Sequence, residues 1–277
     1  VIRVVTDSVA DLPPDLAQAE GIEVVPLYVT LGGRTYRDGV DLTPKAFFSQ
    51  LRTTDRLPTT AQPTPGDFAR TFERLAGKGA TGIVVLTLSS ELSGTFQSAV
   101  QAARQWTERV VEVIDTRTGI MAQGFAALAA ARAARAAASL DEVLAEARRV
   151  LNRARILAAI PTLEYLRRGG RIGKAAAWAG TLLQMKPVVT VDDGVVVPVT
   201  RQRTWRRALE FVAERVVEEL RTGEGHLAVM HGDALEEGRS LLATVVERVQ
   251  PKEAILAGLS PVLGTYGGPG AVAVAYY

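Results

Sequence analysis

Ser93-Gly94 is where residue type and spacing point most directly to ligand binding. The motif Ser89-Ser-Glu-Leu-Ser-Gly94 follows an apolar run at 83–86 and precedes a helix carrying Phe96 and Val100. A helix start presents unpaired backbone N–H groups and partial positive charge, so it can hold a carboxylate or a phosphate. A serine hydroxyl there adds a donor, and Gly94 lets a ligand approach the backbone. The same serine can also serve only as a helix cap. Thr59 and Thr60 lie in the stretch PTTAQPTP at 58–65, which three prolines stiffen. Such a loop can hold a hydroxyl opposite Ser93 at little entropic cost, or use its threonines to satisfy its own backbone.

Other chemistries find less support. The G-x-S-x-G elbow of a nucleophilic serine is missing, and only His226 and His231 could act as its base. Asp7 lacks the D-x-D pattern of an aspartyl-phosphate enzyme, and Asp115 is an isolated carboxylate, so both read as structural acceptors in strand-to-helix turns. Gly169-Gly-Arg-Ile-Gly-Lys174 has Arg168 and Ala175 where a Walker loop needs Gly and Ser or Thr. The glycines at 264–270 are followed by a strand pattern rather than a helix, against a Rossmann fingerprint. No cluster of His, Asp and Glu has metal-ligand spacing, and no metal or cofactor is expected.

The elements that must position these residues are βα units. Apolar runs at 1–5, 83–86 and 110–114 each end in small hydroxyl or acidic residues, Thr6-Asp7-Ser8, the serine motif and Asp115-Thr116. Buried parallel strands followed by polar turns read this way, and in open α/β sheets ligands sit beyond the carboxyl ends of the strands. Hydroxyls at those ends, without cysteine or a nucleotide loop, point to holding a ligand rather than transforming it.

Composition sets the outer bounds. The 277 residues suffice for two domains, and a hydrophobic fraction of 47% can build their cores. With 32 basic and 30 acidic residues the formal charge is +2, and no basic tract interleaved with aromatics suggests nucleic acid. The arginines between 132 and 155 are dispersed as on a solvated helix face. No apolar run of about 18 residues suggests a membrane span. No basic segment followed by an apolar core opens the sequence, so a secretory signal is not expected. The absence of cysteine fits a reducing, cytoplasmic compartment.

Along the chain, Pro13-Pro14 opens a helix stopping at Gly21, and 22–31 reads as one strand. Thr43-Pro44 and Thr64-Pro65 are helix starts, the second for a helix burying Phe68, Phe72 and Leu75. An alanine-rich helix spans 124–138, and Ser139-Leu-Asp-Glu142 is a capping box. The pattern restarts near 155, giving domains 1–155 and 156–277. The second holds the basic loop LRRGGRIG, a small-residue helix over 175–183 and a hairpin turning at Asp193-Gly194. An amphipathic helix from Trp205 to Leu220, a short strand ending at His231-Gly-Asp233 and a helix through Val249 follow. Gly264 to Gly270 reads as a glycine-rich turn between two strands.

Taken in order, these segments resemble the DegV family over nearly the whole length. The carriers are Thr6-Asp7-Ser8, Asp38-Gly-Val-Asp41, Pro58-Thr-Thr-Ala-Gln-Pro63, Ser89-Ser-Glu-Leu-Ser-Gly-Thr95, Leu163-Glu-Tyr-Leu-Arg-Arg-Gly-Gly-Arg-Ile172 and Gly264-Thr-Tyr-Gly-Gly-Pro-Gly270. The resemblance implies two α/β domains of DegV type with the ligand site at their interface. It implies a carrier without catalytic activity that binds a long-chain fatty acid and presents its carboxylate to a separate ATP-dependent fatty acid kinase subunit. The acyl phosphate would then enter phospholipid synthesis, and the carrier would touch membrane surfaces at most transiently. It makes Thr60 and Ser93 the carboxylate ligands, with Thr59, Gly94, Asp38, Arg171 and Tyr266 in support. Tyr266 stands where the family often has histidine, and a phenol donates a hydrogen bond without shuttling protons readily near neutrality. Phe96, Leu163, Leu166, Trp178, Leu182 and Met185 are candidates for the acyl tunnel or for ordinary core. Two other readings remain: a Ser93-dependent lipid hydrolase or acyltransferase, and a lipid-containing regulatory or docking module.

Overall fold

The structure, a computed structural model, describes residues 1–54, 56–178, 185–220 and 222–277. In chain order its elements are β1 (Ile2–Asp7), α1 (Pro14–Glu20), β2 (Ile22–Val25), β3 (Tyr28–Leu31), β4 (Arg34–Arg37), α2 (Pro44–Leu51), β5 (Thr59–Ala61), α3 (Pro65–Gly77), β6 (Gly82–Thr87), α4 (Thr95–Gln105), β7 (Val110–Asp115), α5 (Ile120–Arg135) and α6 (Leu140–Arg153). There follow β8 (Arg155–Ala159), α7 (Glu164–Arg168), β9 (Lys186–Asp192), β10 (Val195–Gln202), α8 (Trp205–Glu219), β11 (His226–His231), α9 (Leu235–Val249), β12 (Glu253–Gly258), α10 (Pro261–Gly267) and β13 (Val272–Tyr276). Short 3-10 turns cover Ser8–Ala10 and Gly173–Trp178. The fold is mixed α/β, as expected. Among the described residues no helix is long and apolar enough to cross a membrane.

The chain separates into two compact units, Val1–Tyr28 with Ala61–Ala154, and Val29–Thr60 with Arg155–Tyr277. The first is built on a parallel sheet of order β2-β1-β6-β7. All six residues of β6 are buried between parallel neighbours, which is why its sequence, GIVVLT, is nearly all apolar. Phe68, Phe72 and Leu75 of α3 and Ala99 and Ala102 of α4 cover one face over Val5, Val25, Ile83 and Val85. A reciprocal cap starts α3: the Asp67 amide donates to Thr64 Oγ1, and the Thr64 amide donates to Asp67 Oδ2. Ser139 and Glu142 start α6 in the same way.

The second unit carries a mixed sheet of order β10-β9-β8-β13-β11-β12, in which only β11 and β12 run parallel. Valines 212 and 216 of α8, with Leu241, Val245 and Val249 of α9, bury against Leu157, Val188, Leu227, Val229, Val272 and Val274. The β9–β10 hairpin turns at Asp193 and Gly194, with φ of 46° and 85°, the two positive values a tight hairpin turn requires.

Four sequence expectations need correction. Residues 29–60 group with the second unit, although they fall within the 1–155 assigned to the first domain. The physical reason is that α2 packs on α10, with Gly264 set against Phe47 and Phe48. The apolar stretch 22–31 forms two strands in different sheets, broken at Pro26, which has no N–H for a ladder. Of the stretch 264–270, read as a glycine-rich turn, residues 264–267 belong to α10, capped by Ser260, whose Oγ accepts from the Leu263 amide at 3.4 Å, with Pro261 in the first turn. Of the helix expected over 175–183, the described part belongs to the 3-10 turn, and residues 179–183 lie outside the described residues.

Candidate functional site

In the second unit, the segment 29–60 grips α10 at three points. At its start, the buried Asp38 accepts through Oδ1 from the Val262 amide at 3.1 Å. In its middle, Gly264 approaches Phe47 and Phe48 so closely that a Cβ would lie 2.7 and 2.8 Å from their rings. At its end, the Tyr266 hydroxyl and Thr60 Oγ1 share a 2.5 Å hydrogen bond. Asp38 therefore anchors the start of the helix that carries Tyr266.

The Tyr266 ring is held on other sides as well. A Cβ at Gly169 would sit 2.5 Å from it, so the basic loop needs glycine to pass the ring. The exposed Arg171 stacks its guanidinium 5.5 Å from the ring centroid and donates Nη1 to the Gly169 carbonyl at 2.9 Å. Just before this loop, Glu164 pairs with Arg167 and Arg168, whose guanidinium groups hold its carboxyl at about 2. Thr59, neighbour of Thr60, is exposed. Leu163 and Leu166 are buried, Trp178 lies half-buried beneath the Arg201 guanidinium, and Met185 is half-buried. Leu182 lies outside the described residues.

In the first unit, α4 begins after Gly94, and its first internal bond runs from the Ser98 amide to the Gly94 carbonyl at 3.0 Å. Ser93 is not the residue at the cap position. Its Oγ accepts from the Thr95 amide at 3.3 Å and shares a 2.9 Å hydrogen bond with Thr95 Oγ1. The remaining first-turn amides have no carbonyl one turn earlier within the helix, as at any helix start. Beyond this point Phe96, Gln97, Val100, Gln101, Arg104 and Gln105, all on α4 and four of them exposed, line an open surface depression of about 560 Å³. By helix rise this face runs for about 13 Å. The carboxamide of Gln62 lies over Gly94, with Nε2 2.5 Å and Oε1 3.1 Å from where a Cβ would be.

The other strand ends are occupied by their own turns. The fully buried Asp7 accepts from the Val9 amide at 3.0 Å and the Leu88 amide at 2.7 Å, tying the end of β1 to the end of β6. Asp115 accepts from the Ser90 amide and hydroxyl and from the Arg117 amide. Ser8 Oγ accepts from the Leu27 amide. Of the three hydroxyl-rich strand ends, the one followed by Ser93 and Gly94 leads into α4, whose residues from Phe96 to Gln105 line a surface depression. Among the described residues no group of three or more His, Asp or Glu could hold a metal ion. Residue spacing did not single out Gln62 or Thr95. Their signals are modest: a glutamine fixed before a proline, and a hydroxyl two positions after a serine.

Comparison with known proteins places the chain. The family model described as uncharacterised protein, DegV family, matches residues 1–277, and the chain belongs to the DegV family. It is 40% identical over 275 residues to a DegV domain-containing protein of Mycobacterium bovis, covering 99% of this chain and 96% of that one. Its structure is similar to that of a fatty-acid-binding DegV family protein from Thermus thermophilus, with TM-score 0.91, 37% identity and coverage of 100% and 99%. It is also similar to DegV, a fatty acid binding protein from Bacillus subtilis, with TM-score 0.89, 31% identity and coverage of 99% and 98%.

Proposed function

We propose that this protein binds a long-chain fatty acid, holds its carboxylate with the hydroxyls of Thr60 and Ser93, and presents it to a separate ATP-dependent kinase subunit. The observation that carries the reading is the placement of the Ser93 hydroxyl just before α4, with the half-buried apolar Phe96 and Val100 on the turns that follow. The fatty-acid binding of the Thermus thermophilus and Bacillus subtilis relatives supports it.

The energetics favour such a division of labour. About 16 methylenes at about 0.8 kcal/mol each supply ~13 kcal/mol of gross stabilisation before association costs. The head group then has to be positioned more than gripped. Tyr266 donating to Thr60, and Thr60 donating to the carboxylate, is the order that gives each oxygen a partner. Neutral hydroxyls leave the carboxylate free of a bidentate arginine clamp, so one of its oxygens stays available to attack the terminal phosphate of ATP.

The test is to purify the protein from cells, extract it with organic solvent and identify the lipid by mass spectrometry. The loaded protein is then incubated with ATP, with and without a candidate kinase subunit. Fatty acid in the extract, with acyl phosphate formed only in the mixture, is the expected result. Ester cleavage by the protein alone would instead support the Ser93 hydrolase, and lipid held without turnover would support a regulatory or docking module.

A further inference from the structure

We propose that Tyr165 is a positioning residue for the head group: a reciprocal clasp of two tyrosine rings and two glycines holds the Tyr266 hydroxyl on Thr60. This inference rests on the fatty-acid reading and adds a residue to it. Tyr165 lies in α7 and Tyr266 in α10, and each ring covers a glycine at the end of the other helix. A Cβ at Gly169, just after α7, would lie 2.5 Å from Cε1 and 2.6 Å from Cδ1 of Tyr266. A Cβ at Gly268, just after α10, would meet Cδ2 of Tyr165 and lie 2.6 Å from its Cε2 and 3.0 Å from its Cγ. All of these are ring carbons, so each ring makes room only by turning as a whole.

The two glycines differ in what demands them. Gly268 has φ of 73°, in the left-handed region, so the backbone itself calls for glycine there. Gly169 has φ of −76°, which any residue adopts, so the space beneath the Tyr266 ring, not the backbone, excludes a side chain. Short turns tie each glycine to a ring. The Gly169 amide donates to the Tyr165 carbonyl at 2.9 Å, so the glycine beneath Tyr266 hangs from the residue whose ring covers Gly268. On α10, Gly268 follows Tyr266 by two residues, and its amide donates to the Gly264 carbonyl at 2.9 Å. The two rings are therefore set together. A hydroxyl at the tip of a ring is only as well placed as the packing that locks the ring's torsions. For Tyr266 that packing includes Gly169, and Tyr165 keeps Gly169 in place. Without the Tyr165 half of the clasp, the Tyr266 ring gains room to turn and its hydroxyl to leave Thr60.

The test uses palmitate labelled with carbon-13 at its carboxyl carbon, bound to the full chain at about pH 8, where a carboxylate is ionised. The carboxyl resonance reads the hydrogen bonding of the head group, and a thermal melt reads stability. Tyr266→Phe deletes the hydroxyl and sets the displacement expected when Thr60 loses its partner. Tyr165→Leu, which takes the ring off Gly268, should displace the resonance in the same direction, whereas Tyr165→Phe should keep it at the wild-type position. Gly169→Ala, which pushes on the Tyr266 ring from the other side of the clasp, should act as Tyr165→Leu does. Both displacements should vanish when Tyr266→Phe is already present. A packing role alone would lower the melting midpoint in Tyr165→Leu and Gly169→Ala and leave the resonance unmoved, which would overturn the proposal. Displacements that add in full to that of Tyr266→Phe would overturn it too, as would a Tyr266→Phe resonance identical to wild type. Wild-type protein showing no bound carboxyl resonance would overturn the fatty-acid reading itself, a failure visible before any variant is made.

Discussion

The hydroxyl groups of Thr60 and Ser93 have different supports, and their variants should differ accordingly. Ser93 is held by its own turn through Thr95, whereas Thr60 is oriented by Tyr266. Thr60→Ala and Ser93→Ala should each lower acyl phosphate formation at saturating lipid more than lipid retention, because the hydrocarbon supplies most of the affinity. Retention that collapses, with normal turnover of whatever complex remains, would remove the head-group role. Tyr266→Phe keeps the ring between Gly169 and Arg171 and deletes only the hydrogen bond to Thr60. Kinase-coupled turnover should fall by about three- to tenfold, the size of one net hydrogen bond, with lipid content unchanged; turnover equal to wild type would show Thr60 needs no such partner. The structural roles of Asp7 and Asp115 were legible in the sequence, because strand-end carboxylates commonly serve the following turn. The Gln62 contact was not, because it depends on two segments about thirty residues apart meeting at a glycine.

At the scale of elements, α10 is the informative case. The stretch GTYGGPG at 264–270, whose first four residues belong to α10, suggested a turn, since four glycines within seven residues disfavour a helix. Packing overrides that propensity: α2 lies against it, and Gly264 is small because Phe47 and Phe48 leave no room. Ser260-Pro261 was the available helix-start signal. Gly264→Ala should destabilise the second unit by about 1–3 kcal/mol through overpacking, and Asp38→Ala by a similar amount through loss of the buried acceptor for the Val262 amide. Denaturant melts would register both, and unchanged midpoints would mean that α10 is not anchored where the structure puts it. The helices over Phe68, Phe72 and Leu75 and over 140–153 were legible in outline, because local caps coincide with an apolar face. His231, at the end of β11, gives this unit a pH signature. Burial lowers its pKa from the usual 6.5, so the folded unit prefers the neutral imidazole. That preference contributes fully above about pH 6.5 and is lost as pH falls through the lowered value. His231→Gln should therefore lose less stability than wild type between pH 7 and 5. Parallel melting curves for the two proteins across that range would count against it.

At the scale of the whole molecule, each unit has its own sheet and its own core. The sequence showed the restart near residue 155 because the local pattern changes there. It concealed the membership of 29–60, because that is set by side chains far along the chain, Val262, Gly264 and Tyr266. A ligand that binds only the folded protein stabilises it by mass action. At a free concentration one hundred times its Kd, palmitate adds about 2.7 kcal/mol. For a chain of this size that is a rise in Tm of roughly 5 °C over delipidated protein. If burial of the alkyl chain dominates, Ser93→Ala and Thr60→Ala should keep most of that rise at the same free palmitate concentration as wild type. A shorter fatty acid, with fewer methylenes to bury, should give a smaller rise at equal concentration. Octanoate stabilising as strongly as palmitate would mean that the head group carries the affinity. It would remove the hydrocarbon from the centre of the proposed function.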